Sequence, residues 1–404
     1  MKKLMNNLGV WILIAMLAGI VVGVVLGPAA AALKPLGDLF IQLIKMLVVP
    51  LVAVSIISGA STLGDSKSAG RIGLISIGYI LLTTLVAVLL AIMAGELFRP
   101  GEGLDAGRLA ALISPTADAG TAPTLSFWET VIGMIPANPM QAFAEGNILQ
   151  IILFGLFLGF GISALQREKR AKVVNGLNYL LEALIWCIER VMYVAPLGVF
   201  ALMADATGTF GFSILWQIAN LVWVNLLAVL VMGLLVYPLT LLLFSHTPLK
   251  SFFRAMLKPQ IIAFSTASSM ATLPVNMEVC ERELNLSKQT VGFVLPLGAT
   301  INMSGNAIYY TLVALFFAQL YGIELAMPQY VTIAILSTLG SIGQAGVPGP
   351  TLMVGAVLVG AGIPIEGLPL LYALDRIFDM VPTTLNITGD AACAAVTDRF
   401  ATTK

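Results

Sequence analysis

Four apolar runs limit what this chain can fold into. Val10–Leu26, Ile72–Met93, Ile148–Leu165 and Ile214–Phe244 each approach or exceed the roughly 18 to 20 residues that cross a bilayer as helix. Only 10% of the 404 residues are charged and 58% are hydrophobic, where a soluble domain carries about a quarter charged residues. The expected fold class is therefore an all-α integral membrane protein, with the lipid bilayer as its solvent. With 21 basic and 21 acidic residues the net charge is zero, which gives no reason to expect nucleic acid or another polyanion as partner. Cys187, Cys280 and Cys393 lie in or beside apolar segments without a CxxC pair and imply neither a disulfide framework nor a metal cluster.

Six ordinary spans are expected at 9–27, 34–63, 71–98, 147–166, 175–204 and 212–245. The basic flank at Met1–Leu8 reads as the lead-in to the first helix rather than as a removed signal. Lys2, Lys3, Lys67, Arg71, the run Arg167–Lys172, Lys250, Arg254 and Lys258 all fall at span ends on one side. By the positive-inside rule that side is the cytoplasm, so the chain is expected to be multi-pass in the plasma (inner) membrane with both termini cytoplasmic. The opposite loop, Arg99–Gly146, is rich in Gly, Pro, Ala and Thr and reads as an external linker. The organisation is thus residues 1–70 and 71–250 holding six helices, and 251–404 holding something else.

Past residue 250 the texture changes. "AFSTASSMATLPV" (263–275) and "LGSIGQAGVPGP" (339–350) interrupt hydrophobic segments with small, polar and helix-breaking residues. Each precedes another membrane-length segment interrupted by polar residues, "LGATINMSGNAIYY" (297–310) and "DMVPTTLNITGD" (379–390). The order reads hairpin, broken helix, hairpin, broken helix. Irregular backbone at membrane depth survives only where protein or a watery cavity satisfies its N–H and C=O groups. Two matching interruptions in successive halves mark a transporter's midplane binding site.

Asp379, Thr383, Asn386 and Asp390 follow the spacing i, i+4, i+7, i+11 and share one face of the last helix, with Asp375 one turn earlier. A carboxylate at the bilayer centre costs about 3 kcal/mol even on the lenient insertion scale, so this stripe must face the interior and needs cations. Arg376 lies beside the stripe and can serve one carboxylate at most; bound cations or a ligand ammonium are the economical partners for the rest. Pro382 removes a backbone donor and frees the Phe378 carbonyl inside the stripe. The other broken helix offers Gly298, Thr300, Asn302, Ser304 and Asn306, oxygen-rich and uncharged, which suits a hard monovalent cation. Sodium is the natural candidate, and protons carried by Asp375, Asp379 or Asp390 are the alternative.

An intramembrane hydrolase built on Ser268 or Ser269 would need a base, and the one histidine, His246, sits at a helix end beside the basic loop. Asp375 and Asp379, four apart on one helix, stack rather than face each other across a water. The chain is therefore not expected to be an enzyme. Hairpins over a charged midplane site also favour alternating access over continuous conduction.

These segments resemble the dicarboxylate/amino acid:cation symporter family, the glutamate transporter homologues. "SSMATLP" resembles the serine-rich tip of that family's first hairpin, "LPLGATINMSG" its NMDGT helix, "SIGQAGVPG" its second hairpin and "DMVPTTLNITGD" its last helix. "LIKMLVVPLV", "YILLTT", "IPANPMQAFAEGNILQIILFGLFLG" and "YVAPLGVFALMA" extend the likeness over nearly the whole chain. The resemblance implies eight transmembrane helices plus two re-entrant hairpins with inverted repeats, and a homotrimer held by helices 1, 2, 4 and 5. Helices 3 and 6 would move with the 251–404 core as an elevator. It also implies that Asp379 binds an amino group, that Asn386 and Ser269 bind an α-carboxylate with Ser268 and Thr383 beside them, and that Gly346 and Val347 close over the ligand. Met270, Asn306, Pro350, Thr351 and Pro382 would line the end that receives the side chain. One sodium would use Asn386, Asp390 and the backbone of Gly298 and Asn302. A second would use the backbone of Thr300, Ser341 and Ile342, with Met303 nearby and Gln344 where the family has Thr or Ala.

Three departures shape the expectation. Acidic-substrate members carry an arginine where this chain has Pro382, and the threonine of NMDGT where it has Asn306. Arg376 is six residues from Pro382, about 120° around an ideal helix, and so does not take over the arginine's place. Removing one partner of a buried charge pair costs about 2 to 5 kcal/mol, which points to a neutral amino acid. The aspartate of NMDGT is Ser304, which takes the carboxylate from a third sodium site otherwise made with Thr83 and Thr84 and leaves two coupled ions expected. The alternative is a proton- or sodium-coupled symporter of an acidic amino acid or dicarboxylate.

Overall fold

The computed structural model describes residues 8–62, 69–103, 132, 135–146, 148–210, 212–343, 351–365, 367–368, 371 and 375–402, and the regular structure among them is helical. Helix α1 (Leu8–Leu26) runs through a 3-10 stretch, Gly27–Leu33, into α2 (Lys34–Thr62), and α3 spans Ala69–Phe98. A short α4 (Pro139–Glu145) precedes α5 (Ile148–Ser163). The Asn138 side chain caps α4 by accepting from the N–H of Met140 and Gln141, and Gly146 ends it at φ 68°, a left-handed conformation that glycine adopts without strain.

The fifth span is not one helix over 175–204. It begins earlier, as α6 (Arg167–Met192), and restarts as α7 (Ala195–Phe210). Pro196 causes the break: it has no N–H for the Met192 carbonyl, and its ring crowds that oxygen. The N–H groups of Tyr193 and Val194 accordingly turn to carbonyls three residues back, at Arg190 and Val191. The sixth span is α8 (Phe212–Val231), a π turn over Met232–Val236 and α9 (Tyr237–Phe244). The wider turn precedes Pro238 and lets the Tyr237 N–H reach the Met232 carbonyl.

The core begins with two helices that pack on each other, α10 (Leu249–Thr266) and α11 (Ser269–Arg282), joined at Ala267, whose φ of 49° reverses the chain. Then come α12 (Lys288–Ile301) and α13 (Ser304–Leu320), with Asn302 and Met303 non-helical between them at ψ 72° and 51°. A second packed pair, α14 (Met327–Gly343) and α15 (Thr351–Gly360), flanks the tip at 344–350, so Gln344, Gly346, Val347 and Pro350 lie outside the described residues. The last helix, α16 (Asp375–Thr402), runs through Pro382 as one continuous helix. It is therefore not broken as expected. A proline removes one ladder bond, and flanking helices can satisfy the freed group without unwinding.

Among the described residues four stretches are long and apolar enough to cross a membrane by length and composition: 14–40, 71–98, 216–244 and 288–320. Packing divides the helices into two groups. In one, α7 lies along α1, and α2 packs on α5, α6 and α7. The approach is close because Gly23 leaves no room for a Cβ, which would stand 2.8 Å from the Thr207 Cβ. In the other, α16 is wrapped by α3, α9, α10, α11, α12 and α13. Helix α1 turns Trp11, Ile14, Leu17, Val21 and Val25 outward, whereas every residue of α13 from Ser304 to Ala318 is buried. Large exposed apolar faces of this kind belong in lipid or against another protein.

Candidate cation and substrate site

The interruption at Asn302 and Met303 makes the site. Helix α12 ends there, so its last carbonyls lack helical partners, and α13 begins there, so its first N–H groups do too. Stripping side-chain bulk from these positions brings α16 into contact with both ends. Gly305 lies against Pro382, where a Cβ would stand 2.7 Å from both the Pro382 Cα and its carbonyl oxygen. Gly298 lies against the Asp390 carboxylate with no space for a methyl group between them.

Three hydrogen-bonded groups follow along α16. At the deeper level, Asn302 Nδ2 donates to Asp390 Oδ1 at 2.9 Å, Ser304 Oγ donates to Asn302 Oδ1 at 3.3 Å, and the Thr84 hydroxyl on α3 lies 3.4 Å from Ser304 Oγ. Asp390 is 1% exposed, and no described basic side chain forms an ion pair with it. A buried carboxylate held only by an amide is a strong attractor for a cation. One turn along, Asn386 Oδ1 accepts the Gly305 N–H at 2.8 Å, while its Nδ2 donates to Asn306 Oδ1 at 2.7 Å and to Met303 Sδ at 3.1 Å. One turn further, Thr383 Oγ1 donates to Asp379 Oδ1 at 3.4 Å, with both residues buried.

Asn302, Met303, Asn306, Thr383, Asn386 and Asp390 are thus drawn into one buried array with Gly298 and Pro382. Other anticipated residues play different parts. The Ser268 hydroxyl caps α11 by accepting from the Ala271 N–H at 3.2 Å, whereas Ser269 Oγ is buried with no hydrogen-bond partner among the described residues. The Thr83 hydroxyl donates to the Tyr79 and Ile80 carbonyls of its own helix, so only Thr84 of that pair reaches Ser304. Thr300 and Ser341 likewise donate within their helices, to the Leu297 and Thr338 carbonyls, and offer the site backbone oxygen only. Ser341 and Ile342 sit in the last turn of α14, which packs against α13. Met270 is 37% exposed. The side chains of Asp375 and Arg376 lie outside the described residues.

Two tyrosines went unread in the sequence. Tyr237 is 1% exposed, and its hydroxyl, which lies beside Ser304 without a well-formed hydrogen bond among the described residues, is pressed against Gly389, where a Cβ would also stand 3.1 Å from Asn302 Nδ2. The signal was a tyrosine followed by proline in an otherwise aliphatic span. Tyr309 is fully buried, lies 2.8 Å from the Thr351 hydroxyl, and packs its ring 4.6 Å from that of Phe378. It ties the start of α15 to the residue preceding Asp379.

The profile of the sodium:dicarboxylate symporter family matches residues 8–400, nearly the whole chain. This chain belongs to the sodium:dicarboxylate symporter family. It is a membrane transporter and not an enzyme. Among the relatives of this symporter, the proton/glutamate-aspartate symporter of Escherichia coli (strain K12) is 35% identical, over 98% of this chain and 93% of its own. The proton/sodium-glutamate symport protein of Bacillus subtilis (strain 168) is 33% identical over 99% of this chain and 94% of its own. The C4-dicarboxylate transport protein of the same organism is 30% identical over 98% and 93%.

Proposed function

We propose that this symporter carries a neutral amino acid into the cell together with sodium. The observation that carries the reading is Pro382. It stands where acidic-substrate members hold an arginine, and its backbone is packed onto Gly305 at the mouth of α13. A side-chain carboxylate entering there would meet a pyrrolidine ring and the amide of Asn306 instead of a guanidinium. The cost of leaving a buried charge without its partner, about 2 to 5 kcal/mol, corresponds to roughly thirtyfold or more in affinity.

The remaining chemistry suits an amino acid backbone and a cation. Asp379 supplies a carboxylate for the ammonium group. The start of α11 at Ser269 and of α13 at Ser304 point orphan N–H groups and positive dipole ends at an α-carboxylate. Asn386 joins them by exchanging its bond to Met303 Sδ, a weak acceptor, for a carboxylate oxygen. The C-terminal ends of α12 and α14 present carbonyls, the groups that suit sodium. Asp390 with Asn386 and the backbone of Gly298 and Asn302 forms one sodium site. The backbone of Thr300, Ser341 and Ile342, with Met303, forms the second. Ser304 carries no charge, so two ions are coupled.

The segregation of α1, α2, α5, α6 and α7 from the group around α16 supports an elevator, in which the first group is a fixed homotrimeric scaffold in the inner membrane. The relatives named for glutamate, aspartate and C4-dicarboxylates favour a second reading, an acidic substrate with proton or sodium coupling. Proteoliposomes loaded with potassium salt separate the two. Sodium-driven uptake of a neutral amino acid, with aspartate and succinate not accumulated, supports the proposal; accumulation of aspartate or succinate alone overturns it. Neutral uptake indifferent to sodium removes Asp390 from a sodium site.

A further inference from the structure

The hydrogen bonds at the start of α13 fix the direction of the Asn306 amide. The polarity of one group is not open to choice: the Gly305 N–H can only donate, and it meets Asn386 Oδ1 at 2.8 Å. The other end of that amide is therefore Nδ2, and its two hydrogens are both used, toward Met303 Sδ, which can only accept, and toward Asn306. Asn306 must then turn its Oδ1 to Asn386. Reversing either amide would set two donors face to face. What Asn306 has left is Nδ2, a group with two N–H donors, and the one hydrogen bond of this side chain among the described residues is the one its Oδ1 accepts.

That donor sits where the substrate side chain is expected. Asn306 is 2% exposed and follows Gly305, which is packed on Pro382, while its partner Asn386 is one turn beyond Pro382 on α16. We infer that Asn306 is a specificity-determining residue that selects a neutral substrate side chain bearing a hydrogen-bond acceptor, a hydroxyl or a carboxamide, over an apolar side chain of the same shape. A buried donor left without an acceptor is penalised more heavily than a made bond is rewarded, so discrimination falls on the analogue that lacks the acceptor. A carboxylate accepts as well, but an amide cannot neutralise it. The inference rests on the amino acid symport proposed above and narrows its substrate class.

The test compares shape-matched pairs in proteoliposomes under one sodium gradient: threonine against valine, and asparagine against leucine. The expected result is that the accepting member of at least one pair is taken up with an apparent affinity about tenfold or more above its apolar partner. Asn306→Asp keeps an oxygen for Asn386 Nδ2 but removes both donors, and is expected to bring that ratio to within about twofold. If this variant fails to fold, the wild-type ratios decide alone. Valine and leucine matching threonine and asparagine in the wild type, or a ratio unchanged in Asn306→Asp, would overturn the role of Asn306 while neutral amino acid symport stands. Uptake of aspartate with none of the four neutral amino acids accumulated would overturn both.

Discussion

The carboxylate of Asp390 lies against the backbone of Gly298 so closely that α12 and α16 meet there without room for a methyl group. In the proposed sodium site the carboxylate and helix-end carbonyls would thus be held at one spacing by contact rather than by a flexible side chain. Gly298→Ala should push the two helices apart at that point and lower sodium-dependent uptake at least tenfold, since small displacements of positioned groups are costly. Uptake at several sodium concentrations checks it; wild-type sodium dependence in the variant would remove Gly298 from the site.

Asp390 is enclosed with Asn302 as its described hydrogen-bond donor, so bound sodium should stabilise the protein measurably. A ligand present at a hundred times its dissociation constant adds about 2.7 kcal/mol. The expected outcome is that sodium chloride, compared with choline chloride, raises the Tm of detergent-solubilised wild-type protein, and that Asp390→Asn abolishes this rise. Without sodium the variant should be at least as stable as the wild type, because it no longer buries a charge. A sodium-induced rise that survives in Asp390→Asn would refute the assignment.

Among the described residues the Tyr237 hydroxyl makes no well-formed hydrogen bond, lying at Gly389 beside Asn302 and Ser304. An unsatisfied buried donor is itself a cost of about 1 to 3 kcal/mol, so Tyr237→Phe should leave stability in choline chloride unchanged or raise it. Thermal unfolding reads this directly. A loss of stability would mean that the hydroxyl has a partner in the folded protein.

Pro382→Arg supplies the guanidinium that acidic-substrate members carry at this place. The variant is expected to accumulate aspartate, with a change in the aspartate-to-neutral preference of thirtyfold or more, by the same ~2 to 5 kcal/mol argument. Competition between labelled aspartate and a neutral amino acid measures it. An unchanged preference would show that the position does not face the side chain of the substrate.

Much of the architecture was legible because lipid leaves few choices. Helix boundaries at 8–26, 34–62 and 69–98 fall within about two residues of those read from the apolar runs, since a span's length is set by bilayer thickness. The split of the fifth span was missed although Pro196 announces it, because an apolar run continues across the break. Pro382 misled in the opposite direction, being tolerated inside a continuous α16 where neighbouring helices surround it. The stripe Asp379, Thr383, Asn386, Asp390 was read correctly as one buried face, because helical periodicity alone places it.

The sequence by itself determined that this chain lives in a membrane, that its last helix carries an interior polar stripe, and that polar residues interrupt the helix within 297–310. Periodicity and transfer free energy are local properties, readable one segment at a time. Only the tertiary structure decided that Ser268 is a helix cap while Ser269 faces inward, that Thr84 and not Thr83 reaches Ser304, and that Asn386 holds Asn306 with its amide donors turned away. The last two outcomes depend on which groups meet across 80 residues or more of chain, and a hydrogen bond acquires its direction from both partners at once.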